Sequence, residues 1–400
     1  MNGSVATRDG LRLHLATDLG NVIIRTENSG SVDYHVRLET DASQKDAKAL
    51  LKSFAIRGRE AADGVYVHGK TLGRQCSGCL WVTIEVNVPR NYSLDVQTGG
   101  GNIETEDING RVVFNTAGGN LIAGNIGGQS RLETSGGHIS VKNVAGDLVA
   151  ITGGGHITTG SVAGNAMLQT GGGHIRVGTI AGVAKLETGG GNVTLEHAGT
   201  DLVAQTGGGQ IEVGEAAGTV RAKTGGGGIR VLRVSGPTDL ETGGGSIYLT
   251  QVDGAVKAST SAGAITAWFV APSAKQTEAC ELQSTDGDIV VYIPRHLPIT
   301  IDARIQRGDE HRVIVDPAFA LKVSYDENSN GPRSVRAEGA LNGGGEVLRL
   351  RTVEGNIRVV LSDTNKQMQI YKQQMEQLQE KLQTQIHMLE QSLSSDENEP

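Results

Sequence analysis

From residue 94 to 270 the chain alternates apolar with polar residues at a period of two, in runs five or six residues long. Ala184-Lys185-Leu186-Glu187-Thr188 and His174-Ile175-Arg176-Val177 are typical. Such runs are too short for helices and have the alternation of half-buried strands. The runs also recur. Thr98, Thr116, Thr134, Thr152, Thr170, Thr188, Thr206, Thr224, Thr242 and Thr260 stand eighteen residues apart without a slip. Glycine follows each threonine by three residues (Gly101, Gly119, Gly137 and onward) and an aliphatic residue follows by five (Ile103, Leu121, Ile139 and onward). A coil of this size cannot bury its own apolar face, so coils must stack and share one core. The pattern predicts an all-β, right-handed parallel β-helix (solenoid) of eighteen-residue coils. The apolar spacings of seven, five and six break the hexapeptide rule of left-handed coils, and right-handed crossovers are the default between parallel strands.

Outside the array the pattern loosens. Thr17-Asp18-Leu19-Gly20-Asn21-Val22-Ile23-Ile24 repeats the offsets in degenerate form. Gln44 to Ala55 reads as a short helix and Leu80 to Val88 as a strand, together an excursion able to cap the open end of the stack. Thr285–Val291 and Thr352–Val360 echo the motif toward the other end. Tyr371, Met375, Leu378, Leu382, Ile386, Leu389 and Leu393 then recur at helical spacing in a Gln- and Glu-rich stretch. That stripe predicts an amphipathic helix, either packed along the solenoid or paired with the same helix of a second copy. Self-association through it is the expectation. Four segments follow: 1–93, an N-terminal coil and cap; 94–270, ten coils; 271–362, further β coils and a cap; 363–400, the helix and an acidic tail.

Composition narrows the function. The 58 glycines fit a chain of tight corners, and 3 % aromatics leave little for a conventional large core. A net charge of −8 with no basic tract argues against nucleic acid as partner. No apolar run is long enough to span a bilayer, and Met1-Asn2-Gly3-Ser4 begins no signal peptide.

Several motifs invite chemistry. Asn102, Asn120, His138, His156, His174, Asn192 and Gln210 each follow a column threonine by four residues, after which the column reads Gly228 and Ser246. Three successive imidazoles, His138, His156 and His174, are candidate metal ligands; a polar ladder stacked along the coils is the plainer reading. Gly64-Val65-Tyr66-Val67-His68-Gly69-Lys70-Thr71 matches a phosphate-loop pattern by letter. Its middle alternates as a strand and no helix is predicted after it, so phosphate binding is not expected. Cys76 and Cys79 form a C-x-x-C that precedes a strand rather than opening a helix, a local disulfide or two idle thiols, with Cys280 left over. The threonines, by parity with the apolar residue two before, point inward or to the corner, where the hydroxyl can bond neighbouring backbone. No catalytic triad, paired-carboxylate cleft or H-E-x-x-H occurs, so no catalytic residue and no cofactor are assigned.

The T-G-G-G-x-I-x-V units resemble the bacterial putative-adhesin β-strand-repeat family, a domain of unknown function, over roughly residues 15–360. The resemblance implies a parallel β-helix displayed outside the cytoplasmic membrane, and no catalytic residue carries over from it. An export segment upstream of Met1 is then expected. The function expected is a non-catalytic surface or envelope domain that binds an unidentified protein or glycan or acts as a scaffold. A self-assembling scaffold of the bactofilin kind is the alternative, and a polysaccharide-active enzyme stands behind both.

Overall fold

The computed structural model describes residues 1–41, 44–72, 80–270, 279–326 and 333–395. The chain divides into two compact units, one holding Met1–Val177 and the end of the chain from Gln385, the other Gly178–Thr384. Both are built from parallel ladders.

In the first unit, Val112–Thr116, Ser130–Thr134, Leu148–Thr152 and Ala166–Thr170 lie side by side in a threonine sheet. Thr116 pairs with Thr134, Thr134 with Thr152 and Thr152 with Thr170, so each step advances one repeat. Leu121–Ile126, Ile139–Val144 and Ile157–Val162 form the facing isoleucine sheet with the same register. The core lies between them. Phe114, Leu132, Ala150 and Leu168 stack from one sheet and Leu121, Ile139 and Ile157 from the other, each at most 1 % exposed. Glycine is required where the coils close up: a Cβ on Gly137 would overlap the Gly119 carbonyl, and one on Gly155 that of Gly137.

The degenerate N-terminal motif joins the ladders in register. Arg12–Thr17 pairs with Ser93–Thr98, placing Thr17 beside Thr98, and Val22 lies beside Ile103. Antiparallel strands extend each sheet beyond it. Ser31–Glu39 pairs with Trp81–Pro89, and Asn2–Ala6 lies outside that pair. The helix expected over Gln44 to Ala55 is shorter, α1 at Gln44–Leu51. Phe54 and Ala55 instead open a strand, Phe54–Ala61, antiparallel to Gly64–Thr71. Burial of Phe54, 3 % exposed, fixes that strand where helical periodicity alone would have run on.

In the second unit a threonine sheet runs through Leu202–Thr206, Val220–Thr224, Thr238–Thr242 and Val256–Thr260. The isoleucine sheet runs through Ile211–Ala216, Ile229–Val234 and Ile247–Val252. Beyond it the register corrects the sequence reading. Ser284, not Thr285, pairs with Thr260, and its hydroxyl donates to the Gly263 carbonyl at 2.9 Å. The phase is set by Gly287, three residues on, which closes on Gly263 as the repeat glycines close on each other. Val347–Glu354 and Ile357–Leu361 add a further coil on Cys280–Asp286 and Ile289–Ile293. Ile299–Ile305 lies parallel beside Val347–Glu354, and Ser334–Leu341 and Lys322–Asp326 extend the sheet beyond it antiparallel.

The C-terminal stripe forms a helix, α2, over Thr364–Ser395. Its Met375, Leu378 and Leu382 are buried against Leu232, an outward leucine that breaks the strand alternation, with Tyr371 packed alongside. A Cβ on Gly214 would overlap the Glu196 carbonyl of the preceding coil and would also stand 3.0 Å from Leu378 of the helix. Glutamines make the polar contacts: Gln367 Nε2 donates to the Thr250 carbonyl at 2.8 Å, Thr250 Oγ1 to Gln374 at 2.9 Å, and Gln379 to Glu196 at 2.7 Å. Tyr371 donates to Glu215; burial first, then that carboxylate, push its phenol up to about 12. This part of the apolar face is therefore spent within the chain.

Candidate functional site

Polar residues of the repeat fall into columns, and what each column does separates structure from surface. The threonines are inside. Thr134 Oγ1 donates to the Gly119 carbonyl of the preceding coil at 2.8 Å and accepts from the Gly137 N–H of its own coil at 3.2 Å. Thr152, Thr206 and Thr224 repeat both bonds. One hydroxyl so ties two coils together and satisfies a corner amide that would otherwise be buried unpaired.

The corner column four residues on caps the backbone of the next coil. Asn102 Oδ1 accepts from the Asn120 N–H at 2.8 Å, and Asn120 Oδ1 from that of His138 at 2.8 Å. The histidines continue the same bond through Nδ1, which accepts from His156 N–H and from His174 N–H, each at 2.9 Å. Their rings lie parallel, with centroids 4.9 Å apart at both steps. With Zn–N bonds of about 2.0–2.1 Å, two nitrogens on one metal lie at most about 4.2 Å apart. Stacked rings this far apart, with Nδ1 of His138 and His156 engaged, do not converge on a single ion. Among the described residues no group of three or more His, Cys, Asp or Glu could hold a metal ion. Burial first, then the neighbouring imidazoles and Arg176, depress His156; burial and Arg176 depress His174. The neutral, accepting form of those rings is the one the fold favours.

The phosphate-loop letters Gly64 to Thr71 are one strand, paired with Arg12–Thr17 on one side and Phe54–Ala61 on the other. Among the described residues the next element after Thr71 is the strand Trp81–Pro89, not a helix whose N-terminus could receive an anion. Cys76 and Cys79 lie outside the described residues. Cys280 is free and buried, and burial raises its thiol.

Two outward constellations were not singled out from the sequence. On the threonine sheet, His14 lies between two carboxylates, Nδ1 3.2 Å from Asp95 and Nε2 3.5 Å from Asp63. Tyr66 stacks on it at 4.4 Å, donates to Asp63 at 2.9 Å and lies under the Arg59 guanidinium at 4.3 Å. The Tyr66 hydrogen bond leads in holding the Asp63 carboxyl below its usual range. On the isoleucine sheet, Glu212, Arg230 and Tyr248 occupy successive coils at one outward position. They border a groove of about 410 Å³ that Gln210, Gly228, Ser246 and Lys381 complete. The sequence signal was present: an aromatic in a mostly polar column, and a glycine where the corner ladder has a polar side chain.

The Toastrack DUF4097 family model matches residues 12–236 and 185–360. The chain belongs to the Toastrack family. That family is the one the T-G-G-G-x-I units resembled, and its β-solenoid-like repeat is the architecture of the parallel ladders. Solved structures similar to this Toastrack chain include two bacterial ones. One is a putative cell adhesion protein from Clostridium sporogenes ATCC 15579, 7 % identical, covering 90 % of this chain and 99 % of that chain at a TM-score of 0.16. Another is a putative adhesin from Bacteroides fragilis NCTC 9343, 13 % identical, covering 73 % of this chain and 95 % of that chain at a TM-score of 0.23. At those scores neither bears on how the Toastrack chain works. No curated protein matches it.

Proposed function

We propose that this Toastrack chain is a non-catalytic, adhesin-like binding domain built on a right-handed parallel β-helix of eighteen-residue coils. One observation carries the reading. The repeated polar residues are consumed between coils, while the outward positions change chemistry from coil to coil, as Thr194, Glu212, Arg230 and Tyr248 do. A regular frame with a variable face suits recognition; the frame itself supplies no reacting group. Right-handed winding follows the general preference for connections between parallel strands. Filament growth of the bactofilin kind is less favoured, because the outermost N-terminal strands, Asn2–Ala6 and Phe54–Ala61, run antiparallel to their neighbours. A second copy could not simply continue the parallel ladder there.

The test is capture of purified glycans and glycoproteins on the immobilised full chain, with bound material identified by mass spectrometry. Saturable binding with the ligand recovered intact is expected. Recovery of a cleaved or modified ligand would overturn the non-catalytic reading, and no capture from any class would overturn the binding role.

A further inference from the structure

The corner ladder is interrupted at one place, and the interruption opens onto the groove beside Tyr248. Up to Gln210 the pattern holds: its N–H donates to Asn192 Oδ1 at 2.9 Å. It resumes where Ser246 Oγ accepts from Ala264 N–H at 3.2 Å. Between these, the N–H groups of Gly228 and Ser246 meet no acceptor among the described residues. Gln210 is one methylene longer than asparagine and does not fold back onto Gly228. Gly228 has no side chain at all; a Cβ there would stand 3.1 Å from the Ser246 carbonyl oxygen, a close contact, and 4.0 Å from the Ser246 nitrogen, on the path a capping side chain takes.

We propose that this groove binds an acidic sugar, with its carboxylate on the Gly228 and Ser246 amides and its ring against Tyr248. Two amide donors one coil apart, about 4.8 Å, can each take one carboxylate oxygen. The exposed Arg230 guanidinium, 5.4 Å from the Tyr248 ring centre, and the Lys381 ammonium flank them. Glu212 lies 3.5 Å from Lys381, so two cations face one carboxylate and the groove remains positive in a chain of net charge −8. Glu212 also selects. It accepts hydrogen bonds from sugar hydroxyls, which an acidic peptide's side chains do not offer. An aromatic face with a few polar groups around it is the usual setting for a sugar's C–H face.

The proposal rests on the binding role above and names its ligand class. It is tested on the full chain by calorimetric titration with oligogalacturonate, against maltohexaose, dextran sulfate and polyglutamate. The informative variant is Gly228→Asn, which restores the ladder: asparagine at this corner caps the next amide elsewhere. Expected are saturable, salt-weakened binding of oligogalacturonate and a loss of roughly tenfold or more in Gly228→Asn at an unchanged or raised melting temperature. Arg230→Gln should weaken binding as well. The proposal is overturned if oligogalacturonate does not bind, or if any of the other three binds as tightly. Binding that survives Gly228→Asn would remove the site but leave the binding role. Cleavage of the bound oligogalacturonate would leave the site and remove the non-catalytic reading.

Discussion

The corner at Asn120, His138, His156 and His174 and the corner at Gln210, Gly228 and Ser246 occupy the same offset in the same repeat, yet they do opposite things. In the first, Asn120, His138 and His156 each cap the amide of the next coil, and even imidazole is used as an asparagine surrogate through Nδ1. In the second, one glycine and one overlong glutamine leave two amides open beside Arg230, Tyr248 and Lys381. A row of three histidines draws the eye to chemistry, but those rings are engaged in holding coils together. The chemically available groups lie where the conspicuous side chains stop. In a repeat protein the functional signal is a departure from the column, since the column itself is what folding requires.

The part the two corners share should break with the largest effect. Thr152→Val and Thr224→Val each delete a hydroxyl that donates to one coil and accepts from another. Each should cost about 2–4 kcal/mol, because a corner carbonyl and amide are left buried without partners. Chemical denaturation measures this; a loss under about 1 kcal/mol in either would show that the threonines are not the staples.

A second difference is that α2 covers the outward face near the open corner. A chain ending at Ser362 loses Met375, Leu378 and Leu382 and exposes Leu232. Its melting temperature should fall, with about 1.5–3 kcal/mol at stake per buried side chain before the entropy of ordering the helix is set against it. Light scattering on both lengths separates the helix's two fates. A dimeric full chain and a monomeric truncated chain of unchanged melting temperature would assign α2 to self-association instead.

Making the filled corner resemble the open one should have a smaller effect. His156→Gly leaves the His174 N–H uncapped and should cost about 1–2 kcal/mol. If the variant is as stable as wild type, the ladder bonds carry no stability and the contrast between the corners loses its basis.

The smallest effect is that of pH. His156 and His174 are held below the ordinary value of 6.5, so the unfolded chain takes up protons more readily than the folded one. Their contribution is fully present above pH 6.5 and is lost as pH falls toward the depressed folded values. Between pH 7 and 5 the melting temperature of wild type should fall more than that of a His138/His156/His174→Asn variant, in which asparagine makes the same bond without titrating. Equal falls would mean that the imidazoles do not cap as neutral acceptors.

Much of this architecture was legible in the sequence because the repeat is strict. Ten threonines in phase fix the register, and the glycine three residues on fixes the corner. Reading failed where an insertion shifts the phase, as at Ser284, and where burial of one side chain decides between helix and strand, as at Phe54. The docking of α2 could have been suspected from Leu232, the one outward leucine of Ile229–Val234, but choosing between its own sheet and a second copy needed coordinates. Of the site, the sequence shows the break at Gly228; it does not show that Gln210 fails to bridge it or that Lys381 comes from a helix far along the chain.

Residue-resolved amide hydrogen exchange tests the central claim most directly. The His156, His174 and Gln210 amides, each capped by the preceding coil's side chain, should be strongly protected. Those of Gly228 and Ser246 should exchange orders of magnitude faster, close to exposed-loop rates, and Ser246 should become protected in Gly228→Asn. Protection of Ser246 in the wild type equal to that of His156 would contradict the account, since the corner ladder would then be continuous and the groove would have no open amides.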